Sequence, residues 1–259
     1  MLKSIKGFFR KISDWFGVWT DKKAPPKGFD VRIAHDLATL CSSIRTIDVA
    51  NNPRLYQSFD DPHLSVEAGI FRLDDDTVAV VFRGTEPWNL KDWKTNMSFI
   101  NRKAGDNFSG KVHLGYFNAY YAVSKPILKT LRKMSFKKVY CSGFSMGGPL
   151  AQQCAMDIRN MGMAVACYTF GAPKAGDKTF AKSHAQIDET WRVRLQNDVV
   201  PAMPPFKIYR HAGKHVRIHS KGYYMKKLDE LADWVCTFTP WSYKTHDADN
   251  YVEALAKFL

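Results

Sequence analysis

At 259 residues, 45% hydrophobic and 14% aromatic, the chain is long enough to bury one large core as a single domain with appendages. Lys and Arg outnumber Asp and Glu by 38 to 25, and a net charge of +13 favours anionic partners, either nucleic acid or an acidic membrane surface. Five widely spaced cysteines, odd in number and with no Cys-x-x-Cys pair, suggest neither a disulfide framework nor a zinc site, and no run approaches the roughly 18 apolar residues of a transmembrane helix.

The first nineteen residues repeat apolar side chains at three- and four-residue steps: Leu2, Ile5, Phe8, Phe9, Ile12, Trp15, Phe16 and Trp19. Lys3, Lys6, Arg10 and Lys11 take the other face. Such a basic amphipathic helix suits a bilayer interface, with Phe8, Phe9, Trp15, Phe16 and Trp19 as membrane contacts; it would equally suit docking on its own domain. Residues 20–28, with Pro25, Pro26 and Gly28, form a polar linker, so residues 29–259 are expected to be the catalytic domain. No secretory apolar segment follows the N-terminal lysines, and unpaired cysteines suit a reducing compartment. The expected location is therefore cytoplasmic, with peripheral membrane attachment as an option.

Ile33, Leu37, Leu40, Cys41 and Ile44 predict a helix. Val66–Leu73 and Thr77–Phe82 predict a hairpin turning at Asp74, Asp75 and Asp76. Farther on, Val139-Tyr140-Cys141-Ser142 is an apolar strand leading into Gly143-Phe144-Ser145-Met146-Gly147. Met146, Leu150, Cys154 and Ile158 then give one helical face, with Pro149 in the first turn, where its missing N–H costs little. A strand, a tight Gly-x-Ser-x-Gly turn and a helix make a nucleophile elbow, which holds a serine hydroxyl clear of the backbone beside N–H donors. Ser145 is the candidate nucleophile, and the amide of Met146 is a candidate oxyanion donor.

Two carboxylates could serve as the acid. Asp198 follows the alternating strand Trp191–Leu195, and Asp177 follows the strand end at Thr169–Pro173. His211, His215, His219 and His246 are the histidines beyond Asp198, and His246 precedes a C-terminal helix with Tyr251, Val252, Leu255, Phe258 and Leu259 on one face. The every-fourth-residue repeat of the first three would suggest a metal on a helix. Gly213 and the alternating Val216 and Ile218 predict strand or loop instead, and no metal or other cofactor is expected. Seven Lys or Arg and no acid lie between Lys207 and Lys227, a stretch that should border the active-site mouth.

Taken in order, Phe82-Arg83-Gly84-Thr85, Asp92-Trp93, His113-Leu114-Gly115, Gly143 to Gly147, Thr169-Phe170-Gly171-Ala172-Pro173, Asn197-Asp198-Val199-Val200-Pro201 and His246 resemble the fungal-type, or class 3, lipases of the α/β-hydrolase fold. The likeness runs from about residue 66 to the C-terminus. It implies an α/β chain with a mostly parallel central sheet flanked by helices, behind the N-terminal amphipathic helix. It implies a catalytic set Ser145, Asp198 and His246 in that chain order, and leaves Asp177 as a loop residue and His211 as structural. It adds Thr85 to Met146 in the oxyanion hole, and it makes Trp88, Leu90 and Trp93 part of a lid that opens at a lipid surface.

The activity implied is serine-dependent hydrolysis of lipid acyl esters, with phospholipase A-type action favoured by the basic charge. Triacylglycerol hydrolysis, a soluble carboxylesterase and a catalytically silent basic membrane module are the alternatives. A lipid substrate and an anionic membrane surface are the expected partners. Nucleic acid is not, since no helix-turn-helix, RNP or zinc pattern occurs.

Overall fold

A computed structural model describes residues 21–22, 24–44, 51–84, 101–103, 109–196, 198–225 and 245–259. Outside these lie the expected membrane contacts Phe8, Phe9, Trp15, Phe16 and Trp19, the oxyanion residue Thr85, and the lid residues Trp88, Leu90 and Trp93.

Eleven described strands are β1 (Asp21–Lys22), β2 (Leu55–Asp61), β3 (Val66–Arg72), β4 (Thr77–Phe82), β5 (Asn101–Lys103), β6 (Lys111–His113), β7 (Lys138–Phe144), β8 (Val165–Phe170), β9 (Thr190–Leu195), β10 (Lys214–His219) and β11 (Tyr223–Met225). The described α-helices are α1 (Val31–Ser43), α2 (Leu114–Leu131), α3 (Gly147–Asn160), α4 (Lys178–His184) and α5 (Ala248–Ala256). Nine strands form one sheet in the order β1-β11-β10-β9-β8-β7-β4-β3-β2, and β5 pairs with β6 apart from it. Pairing is parallel from β4 through β7, β8 and β9 to β10, and antiparallel toward both edges.

The central strands are apolar on both faces, because helices cover both faces. From β7, Val139 and Cys141 enter a core with α2 and α3 that includes Tyr116, Ile127, Leu150 and Ile158. On the opposite face, Tyr140 and Phe144 join α1 and α5 through Leu37, Leu40, Tyr251 and Leu255. The helix starts are set by local chemistry. Asp30 caps α1, accepting from the N–H groups of Arg32 at 2.8 Å and Ile33 at 3.1 Å. His113 caps α2, its Nδ1 accepting from Gly115 N–H at 3.1 Å, which gives the His-Leu-Gly segment a structural explanation.

The hairpin and the strand before Asp198 lie where the pattern places them, as β3–β4 and β9. Three features differ. Asp21 and Lys22, within the stretch expected to be a linker, pair with Met225 and Tyr224, so the sheet takes in part of it; an edge strand's unpaired backbone groups can be met by any extended segment. Leu259, expected on the apolar face of the last helix, is 62% exposed, because α5 ends at Ala256. The basic stretch from Lys207 is divided: β10 carries its middle, Lys214–His219, along the sheet, as described below.

Ile127 is wholly buried in the α2–α3 core, whereas Leu64 is 47% exposed. Ile127→Ala is expected to lose about 2–5 kcal/mol and Leu64→Ala no more than about 0.5 kcal/mol, read as a fall in the urea midpoint at unchanged slope.

Candidate active site

Ser145 sits at φ +53° between β7 and α3, a left-handed conformation that a β-substituted residue adopts only when its surroundings hold it there. The flanking glycines supply that constraint. A Cβ at Gly143 would lie 2.3 Å from the carbonyl of Gly147, and one at Gly147 would lie 2.3 Å from the carbonyl oxygen of Phe82. Strand, helix start and the neighbouring strand β4 are thus in backbone contact, and only glycine permits it. Ser145 N–H donates to Phe170 O at 2.9 Å, tying the turn to β8.

Three side chains distant in sequence converge here. Ser145 Oγ is 2.9 Å from His246 Nε2, and His246 Nδ1 is 2.8 Å from Asp198 Oδ2. All three residues are buried, at no more than 3% exposure. An ionised carboxylate can only accept, so Nδ1 carries the imidazole proton and Nε2 is left to accept from the serine hydroxyl. Asp198 is placed by the turn that leaves β9: its Oδ1 accepts from Val200 N–H at 2.9 Å, and Arg194 Nε donates to its carbonyl at 3.0 Å. His246 lies one residue before Asp247, the cap of α5, and its ring stacks on Phe144 at 4.6 Å between centroids.

The other candidates go elsewhere. Asp177 caps α4, accepting from Phe180 N–H at 2.8 Å. His211 donates from Nε2 to the carbonyl of Pro201 at 2.7 Å; burial, with Arg192 and Lys174 nearby, holds it well below the usual histidine range and therefore neutral. His215 and His219 lie four positions apart on a strand, so they are separated by about 13 Å rather than one helical turn. No metal-holding group of three or more His, Cys, Asp or Glu side chains occurs among the described residues.

Two further residues shape the site, and the sequence pattern gave neither a role in it. Gly171, at φ +57°, is where a Cβ would stand 2.9 Å from Asp198 Oδ2 and 3.0 Å from His246 Cε1. Its signal is the glycine in Thr169–Pro173, which reads only as a strand end. Tyr251, counted above as part of an apolar face, donates its hydroxyl to Asp198 Oδ2 at 2.6 Å.

Of the donors expected for an oxyanion, Met146 follows Ser145 at the N-cap of α3. Gly84 lies against the nucleophile: a Cβ there would be 3.2 Å from that of Ser145.

The basic stretch is spread out. Arg210 caps the turn that precedes it by donating to Tyr209 O at 3.0 Å, Lys214 donates to Asp188 O at 3.0 Å, and Arg217 is buried and donates to Gln196 O at 2.7 Å. Lys207 and Lys221 are exposed, and Lys226 and Lys227 lie outside the described residues. A strand that crosses from one end of the sheet to the other cannot keep its charges on one rim.

A family model described as lipase (class 3) matches residues 79–208, which is 130 of the 259 residues. A lipase of Rhizomucor miehei is 29% identical over 149 residues, covering 53% of this chain and 40% of its own length. The secreted mono- and diacylglycerol lipase 1 of Fusarium solani is 33% identical over 131 residues, covering 48% and 39%. The chain thus spans less than half the length of these two relatives. In structure, it superposes on a triacylglycerol lipase whose catalytic centre is a serine protease triad, with a TM-score of 0.72 at 20% identity over 86% of this chain and 95% of the other.

Several relatives are named as secreted enzymes, which overturns the expectation of a cytoplasmic location. That expectation leaned in part on unpaired cysteines, and the structure gives them another explanation. Cys41, Cys141, Cys154 and Cys167 are free because they are buried core residues, and burial pushes the Cys41 thiol up to about 12. A thiol packed in the core is kept from partners in any compartment.

The matched residues take in the elbow, the strand end at Gly171 and Asp198, on the α/β-hydrolase sheet described above, and the chain belongs to the class 3 lipase family.

Proposed function

We propose that the chain hydrolyses acyl esters of lipids at a lipid surface, through an acyl-enzyme on Ser145. The observation that carries this is the unbroken line of hydrogen bonds from Ser145 Oγ through His246 to Asp198, at 2.9 Å and 2.8 Å, in a buried site. A triad of that kind forms the catalytic centre of the triacylglycerol lipase whose fold the chain shares.

The chemistry runs from the geometry. As Ser145 Oγ attacks the ester carbonyl carbon, His246 Nε2 takes the hydroxyl proton, and Asp198 stabilises the imidazolium without accepting a proton itself. The carbonyl oxygen, now an anion, is met by the amides of Met146 and Thr85. His246 returns the proton to the leaving alcohol, and the acyl group stays on Ser145. A water then gives its proton to Nε2 and attacks the acyl carbon, and as that adduct collapses to release the fatty acid Nε2 returns the proton to Ser145 Oγ.

Trp88, Leu90 and Trp93 would cover the acyl groove as a lid, by the amphipathic pattern of that stretch. The aromatic and basic residues 1–19, together with the net charge of +13, would favour an anionic phospholipid surface over a neutral emulsion. Residues 29–259 would form the catalytic domain, extended by the edge strand β1.

Three outcomes are expected. Ser145→Ala should lower hydrolysis of p-nitrophenyl and lipid esters by about 10⁴- to 10⁶-fold and abolish labelling by a fluorophosphonate; a labelled, active variant would end the proposal. Gly171→Ala should fold yet lose about 100-fold in kcat, because its Cβ would push the acid and base apart, as a steady-state assay with a circular-dichroism control would register. At low salt, anionic vesicles should be hydrolysed about tenfold faster than zwitterionic ones, with deletion of residues 1–19 erasing most of the difference. Equal rates on the two vesicles would remove the anionic preference and leave the esterase chemistry standing.

A further inference from the structure

The carboxylate of Asp198 is wholly buried, and its two oxygens are not equivalent. Oδ1 accepts from Val200 N–H, whereas Oδ2 is shared by two donors: His246 Nδ1 at 2.8 Å and the Tyr251 hydroxyl at 2.6 Å. The direction of the tyrosine bond is settled by its neighbours. Leu195 N–H donates to the same phenol oxygen at 3.0 Å, so the phenol proton is directed to the carboxylate.

The ring cannot swing aside. Phe144 meets it edge-on at 5.7 Å and Phe170 at 6.3 Å, and α5 is held against α1, where the Ser42 hydroxyl donates to Asp249. The Phe144 ring that walls Tyr251 also stacks on His246, so one aromatic box fixes both donors to Oδ2. Burial and the Asp198 charge hold the phenol well above its ordinary value, so it stays protonated while the triad works.

We infer that Tyr251 is a positioning residue of the catalytic acid, aiming the Asp198 carboxylate at His246 and limiting how tightly that carboxylate holds the imidazolium. The inference rests on the catalytic reading of Ser145, His246 and Asp198 given above. A carboxylate oxygen that already accepts one short O–H bond has less charge to offer a second donor. The imidazolium formed during attack is then stabilised enough to form and released readily to the leaving alcohol. The charged groups nearest the pair are Arg194 and Asp247. From β9, Arg194 donates its Nε to the Asp198 backbone carbonyl and acts electrostatically on Tyr251; at the N-cap of α5, the Asp247 carboxylate accepts from the N–H of Asp249 at 3.2 Å; β7 and β8 bring the rings of Phe144 and Phe170.

The test uses the full chain, with fluorophosphonate labelling and the pH profile of kcat/KM on a soluble p-nitrophenyl ester. Tyr251→Phe removes one oxygen and keeps the ring. It is expected to lower kcat about tenfold with little change in KM, and to move the acidic limb of the profile to higher pH by about half a unit, because the unshared carboxylate holds the imidazolium more tightly. Replacing Tyr251 with a difluorinated tyrosine keeps the fold and strengthens the donor, and should move the same limb to lower pH. If Tyr251→Phe does not fold, the fluorinated protein alone decides. A wild-type limb and kcat in the folded variants would reduce Tyr251 to packing and leave the triad intact. Failure of the unaltered protein to take the fluorophosphonate would sink the catalytic reading, and this inference with it.

Discussion

The constraint on which the site depends is the contact between the backbone of β7 and the start of α3 around Ser145. Gly143 meets Gly147, and Gly147 meets Phe82, at distances that leave no room for a single methyl group. That crowding holds Ser145 at φ +53° and fixes where its hydroxyl stands relative to the sheet. The parallel neighbours follow. Because β8 and β9 run alongside β7 in register, Phe144 with Phe170 and Phe170 with Val193, the chain leaves each strand at the same rim. Asp198 therefore arrives near Ser145 by sheet geometry and needs only a short turn to face it.

The imidazole arrives differently. His246 comes from a segment outside the sheet, and what holds it is α5, docked on the face that α1 shares. The buried negative charge of Asp198 would be costly without partners, and each partner comes from a separate piece of structure: Val200 from the turn after β9, His246 from the segment before α5, Tyr251 from within it. Burying the acid is thus coupled to docking the last helix. A site assembled this way is formed only when the sheet and the C-terminal helix are both in place.

How much of this could be read from the chain depends on how local each signal is. The elbow was legible because its requirements, an apolar run, two glycines and a helical face, lie within twenty consecutive residues. The hairpin and β9 were legible for the same reason. Asp198 and His246 could be proposed only with the ordered motifs of a family behind them, since a carboxylate and an imidazole look alike wherever they occur. Gly171 and Tyr251 escaped because their work depends on what other strands and helices bring to them. Helical spacing scores Tyr251 as an apolar ring, which it is, and is silent about the hydroxyl that reaches Asp198. The basic stretch misled in the opposite sense: charges adjacent in sequence were separated by the strand that carries them, and Arg217 was drawn inside to a backbone carbonyl.

The same distinction between local and assembled features bears on how the two ends of the chain relate to the chemistry. The edge strand β1 pairs with β11, which follows β10, which lies beside β9, the strand that ends at the acid. Tyr224, at the center of that edge, packs against Phe29 and against Phe258 beyond α5. The segment entering the domain and the helix that carries Tyr251 therefore meet on one aromatic cluster. A displacement of that cluster reaches the sheet edge and α5 before it reaches Ser145. The elbow, locked by its own backbone contacts, is the part of the site least able to respond; the acid and base, held by side chains from a docked helix, are the part that can.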